Sequence, residues 1–114
     1  MRRLLSLIAL CLALVLGAAP SFAADADHGA QIFSANCAAC HMGGGNVIRA
    51  NRTLSQTDLQ AHLESYGQDH LEAIEHQIEA GKNAMPPYEG KLSDADIEDV
   101  AAFVELQAER GWQR

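Results

Sequence analysis

The chain has 114 residues in 12.2 kDa, room for one small domain. Fifteen acidic residues against eight basic ones give a formal charge of -7, which argues against nucleic acid or an anionic membrane surface as partner. Hydrophobic residues, at 48%, are too many for a disordered chain, and three cysteines cannot close a disulfide framework. Arg2 and Arg3 open a positive stretch, Leu4 to Leu16 is apolar apart from Ser6, and Pro20 breaks the run. Ser21-Phe22-Ala23 puts small residues at the -3 and -1 positions of a signal-peptidase site, so 1–23 reads as an export signal. Its apolar run of about 13 residues is short of the roughly 20 that span a bilayer, and no stable membrane insertion is expected. Cys11 would leave with this segment. Removing Arg2 and Arg3 from the eight basic residues leaves six against fifteen acidic ones, a net charge of -9. Residues 24–114 then form the domain, with Cys37 and Cys40 as its cysteines.

Four helix patterns account for most of that domain. The first starts near Asp27 as N-cap and carries Ile32 and Phe33 toward the cysteines. Gly43, Gly44, Gly45 and Asn46 then make a tight loop. A second helix begins at Ser55 or Thr57, has Leu59 and Leu63 four apart, and stops at Gly67. The third starts at Asp69 with Glu72 three residues on, presents Leu71, Ile74 and Ile78 as its stripe, and ends at Gly81. Residues 82–92 read as irregular, because Pro86-Pro87 and Gly90 exclude a helix. Ser93 caps the fourth, with Asp94 and Asp96 at the positive end of its dipole, and Gly111 ends it. Ile97, Val100, Ala101, Val104 and Ala108 form its apolar face. The expected fold class is all-α with long connections, and function is to be sought in those connections.

Cys37-Ala38-Ala39-Cys40-His41 is the attachment signature of c-type haem. Residues three apart share a helical face, so both sulfurs reach the vinyl groups on one porphyrin edge, and the next residue places an imidazole under the iron. A redox-active Cys-x-x-Cys is the first alternative, but it would need a βαβ context. A zinc site is the second, and would want a further Cys/His pair. With His41 as one axial ligand, Met85 is the candidate for the other. It lies in an irregular loop, and Pro86 confines its backbone to extended conformations. Met42, adjacent to His41, cannot reach the opposite face. His28, His62, His70 and His76 read as solvated surface residues, with His76 as the minor alternative ligand because Gln77 should lie near the haem. His/Met ligation raises the potential and fills the sixth position, which describes an electron carrier rather than an enzyme.

The run Gly29 to His41 with the Gly43-Gly44 loop resembles cytochrome c6. So do Gln77 to Gly81, Gly81-Lys82-Asn83-Ala84-Met85-Pro86, Leu92-Ser93-Asp94, and Ala108-Glu109-Arg110-Gly111-Trp112. The likeness covers nearly all of 25–112. It implies a class I cytochrome c fold, about four helices around one covalently attached haem, and the absence of enzyme activity. Cys37 and Cys40 become the thioether anchors of heme c, and His41 and Met85 the metal ligands. Gly29 and Phe103 become the contact where the first and last helices cross, and Gln77 a glutamine close to the haem. The implied role is electron transfer from the cytochrome b6f complex to photosystem I in the thylakoid lumen of cyanobacteria or algae, as a monomer. A paralogue serving a respiratory terminal oxidase, with the periplasm as alternative location, is the runner-up. A haem sensor or enzyme with a labile sixth site is the reading from another class. The chain departs from the family at Pro87 and Tyr88, where alanine and then Phe or Trp are frequent. Lys91 stands where many cyanobacterial members have arginine, a position implicated in photosystem docking.

Overall fold

Five α-helices and a 3₁₀ turn make up the domain in a computed structural model that describes residues 24–113. The export signal expected at 1–23 lies outside the described residues. Helix α1 runs Ala26–Asn36, and its cap is Asp25, not Asp27. The Asp25 carboxylate accepts from the amides of Asp27 and His28, so Asp27 falls in the first turn, where its charge suits the dipole. The chain breaks at Cys37 and restarts as α2, Ala38–His41, followed by the 3₁₀ turn Met42–Gly44. The four expected helices thus become five, because the haem motif occupies a helical turn of its own.

Helix α3, Gln56–His62, is capped by Ser55 as expected but is shorter than the expected element. Leu63 has already left the helix at ψ 116°, and Ser65 takes a positive φ of 66° to turn the chain toward the buried Tyr66. Helix α4, His70–Ala80, has Asp69 as its cap, accepting from the Glu72 amide at 3.1 Å. Its buried stripe is Ala73, Ile74 and Ile78. Leu71, expected on that stripe, is 42% exposed in the first turn. Helix α5, Asp94–Arg110, agrees with expectation throughout. Ser93 accepts from the Asp96 amide, Gly111 takes the left-handed C-cap, and all five apolar face residues are buried. Burying a Val or Ile side chain contributes about 1.5–3 kcal/mol, against about 1 kcal/mol for a cap. The face secures α5; the caps set its ends.

Helices α1 and α4 both pack on α5. The α1–α5 crossing is close because residue 29 is glycine: a Cβ there would stand 2.0 Å from the Asp99 carbonyl oxygen and 2.9 Å from the Phe103 Cβ. The Phe33 ring lies 5.2 Å from that of Phe103 and 5.4 Å from that of Trp112. Trp112 rests against Gly44, and its indole Nε1 donates to the Leu54 carbonyl at 2.8 Å.

Among the described residues one charged group is buried in this core. Glu105 is 7% exposed, and its carboxylate accepts from the Tyr66 hydroxyl at 2.8 Å and from His70 Nδ1 at 2.7 Å. The Tyr66 and His70 rings stack at 3.9 Å. Burial pushes the Tyr66 phenol up to about 12, so it remains a donor, and the carboxylate is satisfied from two sides. His70, expected to be solvated, is therefore held. His28 is held too, bonded through Nδ1 to Asp99 at 2.8 Å across the α1–α5 contact.

Candidate haem site

Cys37 caps the C-terminal end of α1, and its carbonyl accepts from the amides of Cys40 and His41. That single tight turn holds the motif on one side of a cavity of about 720 Å3, within the usual range for a cofactor pocket. Cys37, Cys40 and His41 line it from α1 and α2, Gln77 from α4, and Met85 from the loop beyond, between walls that include Phe33, Leu59 and Ile74.

The loop 42–54 orients the imidazole. His41 Nδ1 donates to the Gly45 carbonyl at 2.9 Å, and since a carbonyl can only accept, Nε2 keeps its lone pair for a metal. Asn46 folds the rest of the loop: its Oδ1 accepts from the amides of Ile48 and Arg49, and its Nδ2 donates to the Arg52 carbonyl. The Asp58 carboxylate closes the loop by accepting from the Thr53 amide and hydroxyl, which hold it below the usual carboxylate range. Arg49, Arg52 and Lys82 border the cavity, while Lys91 lies outside its lining, 5.7 Å from the centre of the Tyr88 ring. His62 and His76 are exposed at its edge.

Met85 is set by α4. Lys82 and Met85 exchange backbone hydrogen bonds at 3.0 and 2.9 Å, closing a turn in which Asn83 has a φ of 54°. Gly81 has a φ of 65°, and a Cβ there would lie 2.5 Å from the Met85 carbonyl oxygen. Only glycine lets the loop lie this close to the helix end. The half-buried Met85 sulfur accepts from Gln77 Nε2 at 3.9 Å, so the glutamine meets the thioether, not solvent. Met42, by contrast, is 75% exposed.

The competing chemistries fit less well. Exchange-active thiols have depressed pKa values, whereas burial pushes the Cys37 thiol up to about 11. Among the described residues the donors that gather as a three-ligand group are those of His28, Asp96 and Asp99, not those of the Cys-x-x-Cys-His motif. An apolar cavity with an imidazole lone pair, a thioether and two thiols on its walls fits an iron porphyrin. The sequence reading missed one contact here: the Tyr88 hydroxyl donates to the Asn36 carbonyl at 2.9 Å. Its signal was an amphipathic side chain between the proline pair and the α5 cap, a place where a phenol can span two elements.

This fold and this cavity define a c-type cytochrome. The family model described as "Cytochrome C oxidase, cbb3-type, subunit III" matches residues 24–104. Cytochrome c6 of Limnospira maxima is 57% identical over 88 residues, 77% of this chain and 99% of that protein. Cytochrome c6 of a Synechococcus strain is 49% identical over 114 residues, 98% of both chains. The crystal structure of cytochrome c6 from the diatom Phaeodactylum tricornutum superposes with a TM-score of 0.73 at 49% identity, covering 77% of this chain and 99% of that one. The chain belongs to that domain family and, more narrowly, to the cytochrome c6 family of electron carriers.

Proposed function

We propose that the chain holds one haem through thioether bonds from Cys37 and Cys40, each S–H adding across a vinyl C=C, with His41 Nε2 and the Met85 sulfur as axial ligands. The bound haem supplies a one-electron Fe(III)/Fe(II) couple. His41 offers a fixed lone pair, backed by the Gly45 carbonyl. Met85 offers a soft donor that favours the reduced state, and Gln77 holds its sulfur in place. With both axial positions taken by side chains, no site is left for oxygen or substrate. The observation that carries the reading is the convergence of the motif and Met85 on one cavity from two separately anchored segments.

The electron partners follow from the family: the cytochrome b6f complex as donor and photosystem I as acceptor, in the thylakoid lumen, with residues 1–23 as the export signal. Flash-induced reduction of photosystem I by the purified holoprotein tests this. Saturable, second-order reduction is expected, and no reduction at micromolar concentrations would overturn it. The oxidase named in the matching family model favours one further arm, electron donation to a terminal oxidase. Faster oxidation by the oxidase than by the photosystem would assign the chain there instead.

Met85→Ala is expected to lower the midpoint potential, abolish the far-red sulfur-to-iron band of the oxidised protein, and admit carbon monoxide to the reduced protein. An unchanged oxidised spectrum would show that Met85 is not a ligand.

A further inference from the structure

We propose that Tyr88 is a positioning residue for the sixth ligand: its hydroxyl ties the Met85 loop to the haem-attachment segment and holds the thioether against the iron. The inference rests on Met85 as the ligand. Its origin is the way the two walls of the cavity are joined. The motif hangs from α1 and α2, Met85 from α4, and α1 and α4 meet chiefly through α5, which both pack against. On the cavity side something else must set the distance between the walls.

The Met85 loop is fastened mostly to its own wall. Lys82 bonds Met85, the Tyr88 amide donates to the Ile78 carbonyl at 2.9 Å, and the Glu89 amide donates to that of Glu79 at 3.3 Å. Gly81 lets the backbone of 85–87 lie on the end of α4. These contacts make the loop and α4 one body. They do nothing to keep that body against the opposite wall.

The Tyr88 hydroxyl does. Among the described residues, its 2.9 Å bond to the Asn36 carbonyl is the one hydrogen bond between residues 70–92 and residues 24–54. Asn36 closes α1 and directly precedes Cys37, and its carbonyl is among the end-of-helix oxygens that a helix leaves over. Tyr88 is fixed for this task at both backbone ends. Its amide is spent on α4, and its carbonyl accepts from the amides of Lys91 and Leu92 at 2.9 and 3.0 Å. The half-buried ring packs on the core and lines the cavity. Two residues separate Tyr88 from Met85, and both are prolines, Pro86 and Pro87, whose fixed φ angles transmit the anchor stiffly.

The test is ligand exchange in the oxidised holoprotein, with imidazole as the probe. Imidazole can bind only when Met85 departs, so its association rate reads how often the loop opens. Tyr88→Phe removes the hydroxyl and keeps the ring. The far-red band should persist at rest, while imidazole binds about 2- to 10-fold faster, the range that one net hydrogen bond represents. Asp25→Ala, which removes the α1 cap far from the cavity, is the matched control and should leave the rate unchanged. Equal rates for wild type and Tyr88→Phe would overturn the proposal, as would equal acceleration in Asp25→Ala, which would mark the effect as general loosening. A wild-type holoprotein without the far-red band would instead overturn Met85 as the ligand.

Discussion

At the scale of single residues, the environment of Met85 decides what the site is. A methionine in a core contacts hydrocarbon; this one accepts a hydrogen bond from an amide at 3.9 Å, beside an apolar cavity. An N–H pointed at the sulfur draws electron density from it, which, on the proposed ligation, would change what the sulfur gives to iron in each oxidation state. Gln77→Val removes that donor and so strengthens the sulfur's donation to the oxidised state, and the midpoint potential is expected to fall by on the order of tens of millivolts, the one-electron equivalent of a hydrogen bond near 1 kcal/mol. Redox titration checks this, and the far-red band should persist because the ligand is unchanged. An unaltered midpoint would mean that the amide does not act on the couple. Much of this site was legible in the sequence, because Cys-x-x-Cys-His and Met-Pro are local patterns whose chemistry is in their spacing. The Gly45 carbonyl behind His41 and the Asn36 carbonyl under Tyr88 were not legible. Both are backbone atoms, and no residue identity announces where a carbonyl will point.

At the scale of elements, the α1–α5 contact carries an ion pair with a defined pH window. Asp99 raises His28 above its ordinary 6.5, chiefly through the hydrogen bond, and His28 in turn holds Asp99 below its ordinary 3.8. A raised His contributes stability that is fully present below 6.5 and lost as pH climbs through its folded value. A lowered Asp contributes stability present above 3.8 and lost as pH falls through its folded value. The pair therefore counts most between about pH 4 and 6.5. His28→Gln should cost more stability near pH 5 than at pH 9, as chemical denaturation at the two pH values would show. A difference that does not change with pH would assign the loss to packing. The helices themselves were readable to the extent that caps and apolar periodicity agree. Ser93 and the face of α5 agree, and that helix stood as expected. Asp25 and Asp27 compete for one cap, and the expected Asp27 gave way to Asp25, whose carboxylate reaches the amides of Asp27 and His28. Leu63 and Leu71 have the right spacing but stand at element ends, where the chain is already turning or the side chain faces out. Glu105 did carry a signal, since it interrupts the buried face of α5 beside Val104. A charge at such a position needs a donor, and Tyr66 and His70 supply two.

At the scale of the whole molecule, a strongly acidic chain places cations around the cavity. Arg49, Arg52 and Lys82 border it, and Lys91 lies over the Tyr88 ring that lines it. On the docking reading a partner drawn to this rim would meet a field less negative than the rest of the surface, and such steering acts on association rate and is screened beyond about 8–10 Å at physiological salt. On the photosystem reading, Lys91→Glu should slow reduction about 2- to 10-fold at low salt, converge on wild type at high salt, and leave the midpoint unchanged. Equal rates at low ionic strength would remove Lys91 from the contact surface. The placement of Trp112 has a consequence for the order in which the molecule can assemble. The indole that braces Gly44 and Leu54 comes from a residue 58 positions beyond Leu54. Asp25 likewise waits for Asp99, 74 positions away. A growing or translocating chain can present its cysteines early, on a short local turn, yet the frame around them closes only after the last helix has arrived. On the proposed haem attachment, chemistry on the thiols and completion of the fold can thereby be separated in time, the thiols staying accessible for as long as α5 is missing.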